Sequence, residues 1–257
     1  MRALPQAFTV DAAEYALMDR AEAGMWWYRA LRDRAEAALR DHAPNGPLAG
    51  PWLDCGCGTG GLLHHLARAF PAQPLVGLEY NPEAALRAAE KSGAVVAAGD
   101  AARLPFADRS FAAVASMDVL CHAAVDQEAA LADMRRVLRP GGLLLLNLPA
   151  FAWLHSAHDR RVHNARRYTA REARALVQAA GYQDIRTDYW NALLLPLMVL
   201  QRKVLARDEA AASDVAPFPP WLDASLYAAT RVESALAGIG LRYPAGGSVL
   251  VTARRPL

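Results

Sequence analysis

The chain has 257 residues, of which 54% are hydrophobic, and its formal net charge is +2. This size allows one large α/β domain with an extension, or two small domains. Because the charge is near neutral and the basic residues are scattered along the chain with only a few short pairs, a nucleic-acid partner is not expected. The N-terminus has no apolar stretch of signal-peptide length, and the apolar run at 192–200 is too short to cross a bilayer. We therefore expect a cytoplasmic protein.

The first 50 residues predict helices. Residues from about 11 to 42 are rich in Ala, Glu and Arg around an aromatic cluster, Trp26-Trp27-Tyr28, and turn-forming residues at 42–50 mark a boundary. Strands and helices then alternate along the chain. Strands are predicted at 51–54, 75–79, 94–98, 111–116, 143–148, 185–190 and 248–253, and helices at 61–70, 82–91, 126–138 and 169–181.

This alternation predicts a parallel, doubly wound sheet that binds its ligands at the carboxyl ends of the strands. Residues 191–243 interrupt the pattern with an apolar helical piece (192–206), a Pro-rich loop (216–220) and a second helix. We predict three parts, which are an N-terminal helical lid at 1–50, a core at 51–190 and 244–257, and a helical insertion at 191–243. The run at 192–200 could line an apolar pocket, rest on a membrane surface or pack against the core.

The stretch WLDCGCGTGGLL (52–63) places four glycines behind a short strand. The spacing Gly56-x-Gly58-x-x-Gly61 fits a dinucleotide fingerprint, so a nicotinamide-dependent oxidoreductase is one interpretation. Glycines let a ligand approach the backbone, and the following helix offers free N–H groups. Asp54, however, would repel a pyrophosphate and could pair with an ammonium group. A nucleoside that carries an amino acid therefore fits better than a dinucleotide.

From these residues onward the chain resembles the class I S-adenosylmethionine-dependent methyltransferases, over about 51–150. Four elements occur in order, namely LDCGCGTG (53–60), LVGLE (75–79), GDAARLPF (99–106) and VLRPGGLLLL (137–146). The resemblance implies a Rossmann-like, doubly wound sheet of seven strands, mostly parallel with an antiparallel last strand. It implies S-adenosylmethionine as the cofactor. It also implies that Glu79 holds the ribose hydroxyls and that Asp100 accepts a hydrogen bond from the adenine amino group.

The same resemblance places more residues around the cofactor. Met117 or Asp118 is expected to border its methionine portion. Tyr80 is expected to lie against the adenine, with an ordinary half-buried aromatic as the alternative. Tyr28, in the N-terminal helix, is expected to attract the sulfonium through its ring. The predicted cofactor-binding residues are Tyr28, Asp54, Gly56, Cys57, Gly58, Gly60, Glu79, Tyr80, Asp100, Ala101 and Met117.

Candidate catalytic residues follow the fourth and fifth strands. His122 is close enough in sequence to the fourth strand to face the methyl group. The loop at 149–169 carries a His-Asp…His-x-x-Arg-Arg-Tyr-Thr pattern that resembles a bacterial subfamily. One interpretation makes His158 or His163 a general base, oriented by Asp159 or Tyr168. In the other, these side chains only satisfy helix ends around a long loop.

The sequence therefore predicts methyl transfer to a small acceptor, apolar or aromatic, with transfer to oxygen preferred over carbon. A cofactor-binding protein without methylation activity is the second alternative. A membrane surface or a lipid-like acceptor is compatible with the apolar run at 192–200. The Cys, His and Asp spacings do not require a metal. The identity of the acceptor and the oligomeric state stay open.

Overall fold

The computed structural model describes residues 12–43, 48–202 and 218–257. Within these ranges seven strands form one sheet, in the order β3-β2-β1-β4-β5-β7-β6. The strands are β1 (Trp52–Cys55), β2 (Leu75–Glu79), β3 (Val95–Ala98), β4 (Phe111–Met117), β5 (Leu138–Pro149), β6 (Gln183–Trp190) and β7 (Ser248–Arg254). The first five are mutually parallel, and β7 runs antiparallel to both β5 and β6. The predicted Rossmann-like sheet with an antiparallel last strand is confirmed.

Helices occupy the connections between these strands and both faces of the sheet. They are α1 (Ala12–Ala21), α2 (Trp26–Asp41), α3 (Gly61–Ala69), α4 (Pro82–Ser92), α5 (Gln127–Val137), α6 (Ala157–Arg161), α7 (Ala170–Ala179), α8 (Leu195–Leu200) and α9 (Pro220–Gly238). The predicted caps are present, because the side chains of Asn81 and Asp126 accept N–H bonds from the first turns of α4 and α5. Thr169 and Glu172 form the capping box that starts α7.

Three elements differ from the sequence-based boundaries. The predicted N-terminal helix is divided into α1 and α2 by a turn at 22–25. Strand β5 begins at Leu138 rather than Leu143, because Leu138 pairs with Phe111 of β4. The apolar piece at 192–206 holds the short helix α8. Residues 203–217, which include the end of that piece and part of the predicted Pro-rich loop, lie outside the described residues.

Strand β5 shows why the core forms on both faces of the sheet. Its run of four leucines, 143–146, is fully buried. Successive side chains of a strand point to opposite faces. Leu143 and Leu145 therefore pack with Leu39 of α2 on one face, whereas Leu144 and Leu146 pack with α5 and α7 on the other. A continuous apolar run is what a parallel strand covered by helices on both sides requires.

Helix α9 of the region 191–243 packs against α2. The backbone N–H of Trp26 donates to Asp223 at 2.7 Å, and Arg34 pairs with Glu233 at 2.7 Å. The buried Glu233 carboxylate also accepts the backbone N–H of Asn191, at 2.7 Å. These polar contacts tie the N-terminal helices to residues that follow β6, while the division into lid, core and insertion remains a prediction. Among the described helices, none is both long and apolar enough to cross a bilayer.

A substitution at Gly60 tests how closely the start of α3 packs against α4. Gly60 and Gly93 both have a positive φ, +90° and +70°, so alanine at either position costs about 1–2 kcal/mol of backbone strain. Only at Gly60 would a Cβ lie 2.7 Å from the Cα of Ala88, whereas a Cβ at Gly93 meets nothing within 4 Å. Overpacking adds about 1–3 kcal/mol, so urea unfolding should show Gly60→Ala to be less stable than Gly93→Ala by about that amount. Equal losses would contradict this packing.

Candidate active site

A cavity of about 580 Å³ opens at the carboxyl ends of β1, β2, β4 and β5. Helices α1 and α2 and the end of α8 also contribute to its wall. Ligands of open α/β sheets bind at this edge, because the loops there diverge and leave a crevice. All the predicted cofactor-binding residues except Gly60 line the cavity, and so does His122.

Gly60 has a different role from the predicted one. It is the N-cap residue of α3, in the left-handed conformation, and it lies against the backbone of Ala88 in α4. Its lack of a side chain therefore serves helix packing, and Gly60 does not line the cavity. Gly56 lines the cavity and is packed against Val119, which follows β4.

Three buried carboxylates meet at the tips of β1 and β2. Asp54 is the last residue but one of β1, and Glu79 is the last residue of β2. Glu22 lies in the turn between α1 and α2. Burial raises the pKa of Asp54 to about 7, and the negative charges of Glu79 and Glu22 add to the rise. Because these charges repel one another, this end of the cavity favours a cationic ligand group and disfavours an anionic one.

Protein donors hold the Glu79 carboxylate in place. Its Oε2 accepts the backbone N–H of Gly58 at 2.9 Å, and its Oε1 accepts the hydroxyl of Tyr15 at 2.8 Å and the N–H of Asn81 at 3.0 Å. The bond from Tyr15 links α1 to the end of β2. Sequence reasoning missed Tyr15, because it lies 64 residues before Glu79 in a segment read only as helical.

Glu22 places a further carboxylate beside the glycine-rich loop. It accepts the hydroxyl of Thr59 at 2.8 Å and forms an ion pair with Lys91. A Cβ on Gly61, the first residue of α3, would collide with the Glu22 carboxylate. The positive end of the α3 dipole thus already faces a negative side chain. A pyrophosphate at this helix end would meet Glu22 and Asp54 together.

Aromatic side chains of α2 form another part of the wall. Trp26, Trp27 and Tyr28 all line the cavity. The Trp27 ring meets Tyr28 edge to face at 5.1 Å and stacks on Trp190, the last residue of β6, at 6.3 Å. This wall gives the site a rigid aromatic surface.

The candidate catalytic histidines differ in whether they line the cavity. His122 lines the cavity, and its Nδ1 lies 2.9 Å from the carbonyl of Val162, an arrangement that requires a proton on Nδ1. Burial lowers the pKa of His122, so the ring is neutral at pH 7 and its other nitrogen carries a lone pair. His163 lies outside the cavity wall, in a left-handed turn whose carbonyl accepts the N–H of Ala123. The prediction for His158 falls on a side chain outside the described part.

Tyr168 is also outside the cavity wall, which corrects its predicted role. It is buried, and its hydroxyl lies 3.1 Å from the carbonyl of Leu120 and 2.9 Å from Oε1 of Gln127. Burial raises its pKa, so the phenol stays protonated. Tyr168 therefore fixes the loop after β5 to the start of α5, and its hydroxyl contacts Leu120 and Gln127 rather than His163.

Asp159 pairs with an arginine rather than with a histidine. It is fully buried, and Nη2 of the nearly buried Arg167 lies 2.9 Å from its Oδ1. Burial would raise the pKa of Asp159, but the Arg167 guanidinium lowers it below its usual range. Arg167 also donates to the carbonyl of Ala150, and Asp159 accepts the N–H of Ser156. The pair holds the loop after β5 along the cavity, where both residues form part of the wall.

Comparisons with known proteins agree with this geometry. Residues 53–146 match the family model of a methyltransferase domain. A demethylmenaquinone methyltransferase of Deinococcus radiodurans is 34% identical over 154 residues, which are 58% of this chain and 61% of the relative. A fatty-acid O-methyltransferase of Mycolicibacterium smegmatis is 36% identical over 96 residues, which are 36% of this chain and 35% of the relative.

A solved structure shares the fold. Phosphoethanolamine N-methyltransferase 2 of Haemonchus contortus, in complex with S-adenosyl-L-methionine, aligns with a TM-score of 0.57 at 17% identity, over 87% of this chain and 53% of that one. The chain thus spans less than two thirds of the length of each of these three proteins.

The ordered motifs, the sheet and the family match together define the class. The chain carries a class I S-adenosylmethionine-dependent methyltransferase domain, as its sequence indicated, and S-adenosylmethionine is the cofactor of that domain. The bacterial subfamily suggested by the loop at 149–169 remains a prediction.

The Asp159–Arg167 pair should be important for stability. Arg167→Met leaves a buried carboxylate without its main partner, which typically costs about 3–5 kcal/mol. Arg171→Met removes an exposed arginine of α7 and should change the free energy of unfolding by less than about 0.5 kcal/mol. Urea unfolding of both variants measures the difference. If Arg167→Met is as stable as Arg171→Met, the pair does not hold the loop.

Proposed function

We propose that this protein transfers a methyl group from S-adenosylmethionine to a small apolar or aromatic acceptor, with oxygen preferred over carbon as the methylated atom. One observation carries the proposal. Asp100, Glu79 and Asp54 follow or end the adjacent parallel strands β3, β2 and β1, and all three line one cavity. Strands in a sheet lie about 4.8 Å apart, so these carboxylates form a row along the sheet edge.

The row matches the parts of an adenosyl amino acid in order. Asp100 is exposed beside β3 and is assigned the adenine amino group, and Glu79 the ribose hydroxyls. Asp54, with its raised pKa, is assigned the ammonium group of the methionine portion. Gly56 and Gly58 let the ligand approach the backbone of the loop, where side chains would intrude.

The other predicted contacts complete the assignment. Cys57, Tyr80, Ala101, Met117 and Tyr28 line the same cavity, which supports their assignment to the cofactor. The charge of the site argues against a dinucleotide, because Glu22 and Asp54 are both buried beside the loop that would hold a pyrophosphate. We therefore do not favour a nicotinamide-dependent oxidoreductase.

The acceptor is assigned to the part of the cavity bounded by α2 and α8. Trp26, Trp27 and Leu31 line it from α2, and Met198 lines it from α8. Two relatives are named for a demethylmenaquinone and for a fatty acid. Both names support an apolar acceptor.

The chain's own residues would supply position and proton transfer. When bound, the cofactor supplies a methyl group activated as a sulfonium. The aromatic wall orients the acceptor and excludes water, which is most of what such a transfer needs. An acceptor hydroxyl must also lose its proton as its oxygen gains the methyl group. His122, neutral and on the cavity wall, is the group we assign to receive it.

Turnover tests the proposal directly. Purified protein with S-adenosylmethionine should release S-adenosylhomocysteine when it is given apolar hydroxylated aromatics such as quinols and alkylphenols. Mass spectrometry should find the methyl group on oxygen. Release with polar amines, but with none of these hydroxylated aromatics, would overturn the proposed acceptor class.

Cofactor binding should depend on Glu79 in particular. Glu79→Gln keeps the shape of the side chain but weakens its bonds to two ribose hydroxyls, so calorimetric affinity for S-adenosylhomocysteine should fall at least about tenfold. Glu83→Gln, an isosteric change in the first turn of α4, should leave the affinity unchanged. An equal effect of the two variants would place the ribose elsewhere.

Asp54 should make binding depend on pH. A carboxyl group with a pKa of about 7 is mostly protonated at pH 6 and mostly ionised at pH 8, so its attraction for an ammonium group grows over this range. The affinity for S-adenosylhomocysteine should rise about tenfold from pH 6 to pH 8. Asp54→Asn should bind more weakly at pH 8 and show no such rise. A pH-independent affinity of the unaltered protein would refute the pairing.

A further inference from the structure

Helix α9 carries polar groups on its buried side and apolar groups on its outer side. The buried side packs on α2 and holds Thr230 and Glu233 beside Leu226. The outer side carries six exposed residues, which are Trp221, Ser225, Ala228, Val232, Ala235 and Ile239, the C-cap of the helix. We call these six residues the outer stripe. Helices at a protein surface normally turn charged and polar side chains outward. The outer stripe reverses this rule.

The large side chains of the outer stripe are well exposed. Trp221 is 71% exposed, Val232 54% and Ile239 83%. None of the six residues lines the cavity, so the outer stripe is not part of the candidate active site. Single exposed apolar residues are common, but a continuous apolar patch marks a surface that another molecule covers.

The spacing of the outer stripe indicates what covers it. Successive members are 4, 3, 4, 3 and 4 positions apart, which is the repeat by which two helices pack along a common seam. At about 100° per residue, all six lie within about 40° of one line along the helix. The series also reads the same from either end. An antiparallel second copy of α9 therefore pairs the first member with the last, the second with the fifth, and the third with the fourth.

We propose that the outer stripe is the interface of a twofold-symmetric dimer, in which the α9 helices of two copies of this chain pack antiparallel. A twofold interface needs a surface that is complementary to itself, and the symmetric spacing supplies it. The sizes also fit. Trp221 lies opposite Ile239 at each end of the seam, whereas small residues lie near its centre and let the two helices approach closely.

The charges beside the seam permit this approach. The six residues of the outer stripe carry no charge. The neighbouring Arg231 is paired with Asp33 of α2 at 3.5 Å, so its charge is already compensated within one copy. Arg231 is also the one basic residue of α9, whereas helices that lie on a membrane surface are rich in Lys and Arg. A second copy of the chain therefore fits the outer stripe better than a lipid surface does.

The area of the outer stripe sets the strength of the dimer. Helix α9 has 19 residues and is thus about 28 Å long. Covering about a third of its accessible surface removes about 400 Å² from each copy, or about 800 Å² in all. Stable complexes bury about 1,600 Å², and smaller interfaces belong to transient ones. The dimer should therefore form at micromolar concentrations and dissociate on dilution.

Sedimentation velocity between about 1 and 200 µM tests the proposal, and we expect a dimer with a Kd of about 10–100 µM. Val232→Arg places two positive charges close to the twofold axis, so the Kd should rise at least about tenfold. Val95→Arg is the matched control, because it makes the same change at a valine that is 74% exposed on the edge strand β3. It should leave the Kd unchanged. Ile239→Arg, at the end of the seam, is the second variant, and circular dichroism shows which variants are folded.

Cross-linking tests the direction of the helices. Ser225→Cys and Ala235→Cys lie opposite each other only between antiparallel copies, so a short bis-maleimide should join the two variants when they are mixed. Neither variant alone should cross-link, because its two equal positions lie about 15 Å apart along the seam. The native Cys55, Cys57 and Cys121 are buried and should not react.

Three results would overturn the proposal. The first is a protein that stays monomeric up to about 200 µM. The second is a dimer that both folded arginine variants of α9 leave intact, and the third is a dimer that cross-links through Ser225→Cys alone. Sedimentation with anionic vesicles identifies the other occupant. A monomer whose binding to vesicles is abolished by Val232→Arg would mean that a membrane surface covers the outer stripe instead of a second copy.

Discussion

Mutual repulsion between buried carboxylates is the constraint on which the rest of this site depends. Parallel strands bring all their carboxyl ends to one edge, so acidic residues that end adjacent strands must lie close together. Glu79 is compensated by three protein donors and Glu22 by Thr59 and Lys91. Burial raises the pKa of Asp54 to about 7, and the charges of Glu79 and Glu22 add to the rise. The cavity is thereby suited to the ammonium group of a sulfonium amino acid and unsuited to the negative pyrophosphate of a dinucleotide.

The N-terminal helices, like the strands, contribute side chains that interact with the buried carboxylates. Helix α1 carries Tyr15, whose hydroxyl donates to Glu79, and the turn after α1 carries Glu22. A ribose hydroxyl at Glu79 would approach the same carboxylate that Tyr15 already contacts. If Glu79 holds the ribose as proposed, cofactor binding and the position of α1 are linked through one side chain. Helix α2 adds the aromatic wall, so the first helices line both the carboxylate end and the aromatic end of the cavity.

A buried ion pair and a buried tyrosine help to organise the loop after β5. The Asp159–Arg167 pair is buried and satisfies the carbonyl of Ala150, and Tyr168 anchors the loop to α5. Both kinds of contact are expensive to break, because an isolated charge or hydroxyl would be left without water. A dense run of titratable residues in a sequence can thus mark a rigid support for a site rather than its chemistry.

The sequence by itself determined the sheet and grouped most of the predicted cofactor-binding residues around one cavity. Short apolar runs such as 143–146 and caps such as Asn81 and Asp126 are local signals, and parallel topology carries Asp54, Glu79 and Asp100 to one edge once their strands are known. The glycine-rich loop is likewise contiguous, although Gly60 packs against α4 and does not line the cavity.

Only the tertiary structure decided which distant side chains join these residues. Tyr15, Glu22 and the hydrogen-bonded side chains of Asp118, Asn147 and Trp190 meet their partners across 29 to 64 positions, and no local pattern encodes such partners. The sequence likewise did not show which of the candidate histidines lines the cavity. His122 and His163 were both candidates from the sequence, yet of these two only His122 lines the cavity, with its ring held by the carbonyl of Val162. Burial and side-chain direction depend on packing from elements far along the chain, so they appear only when the chain is folded.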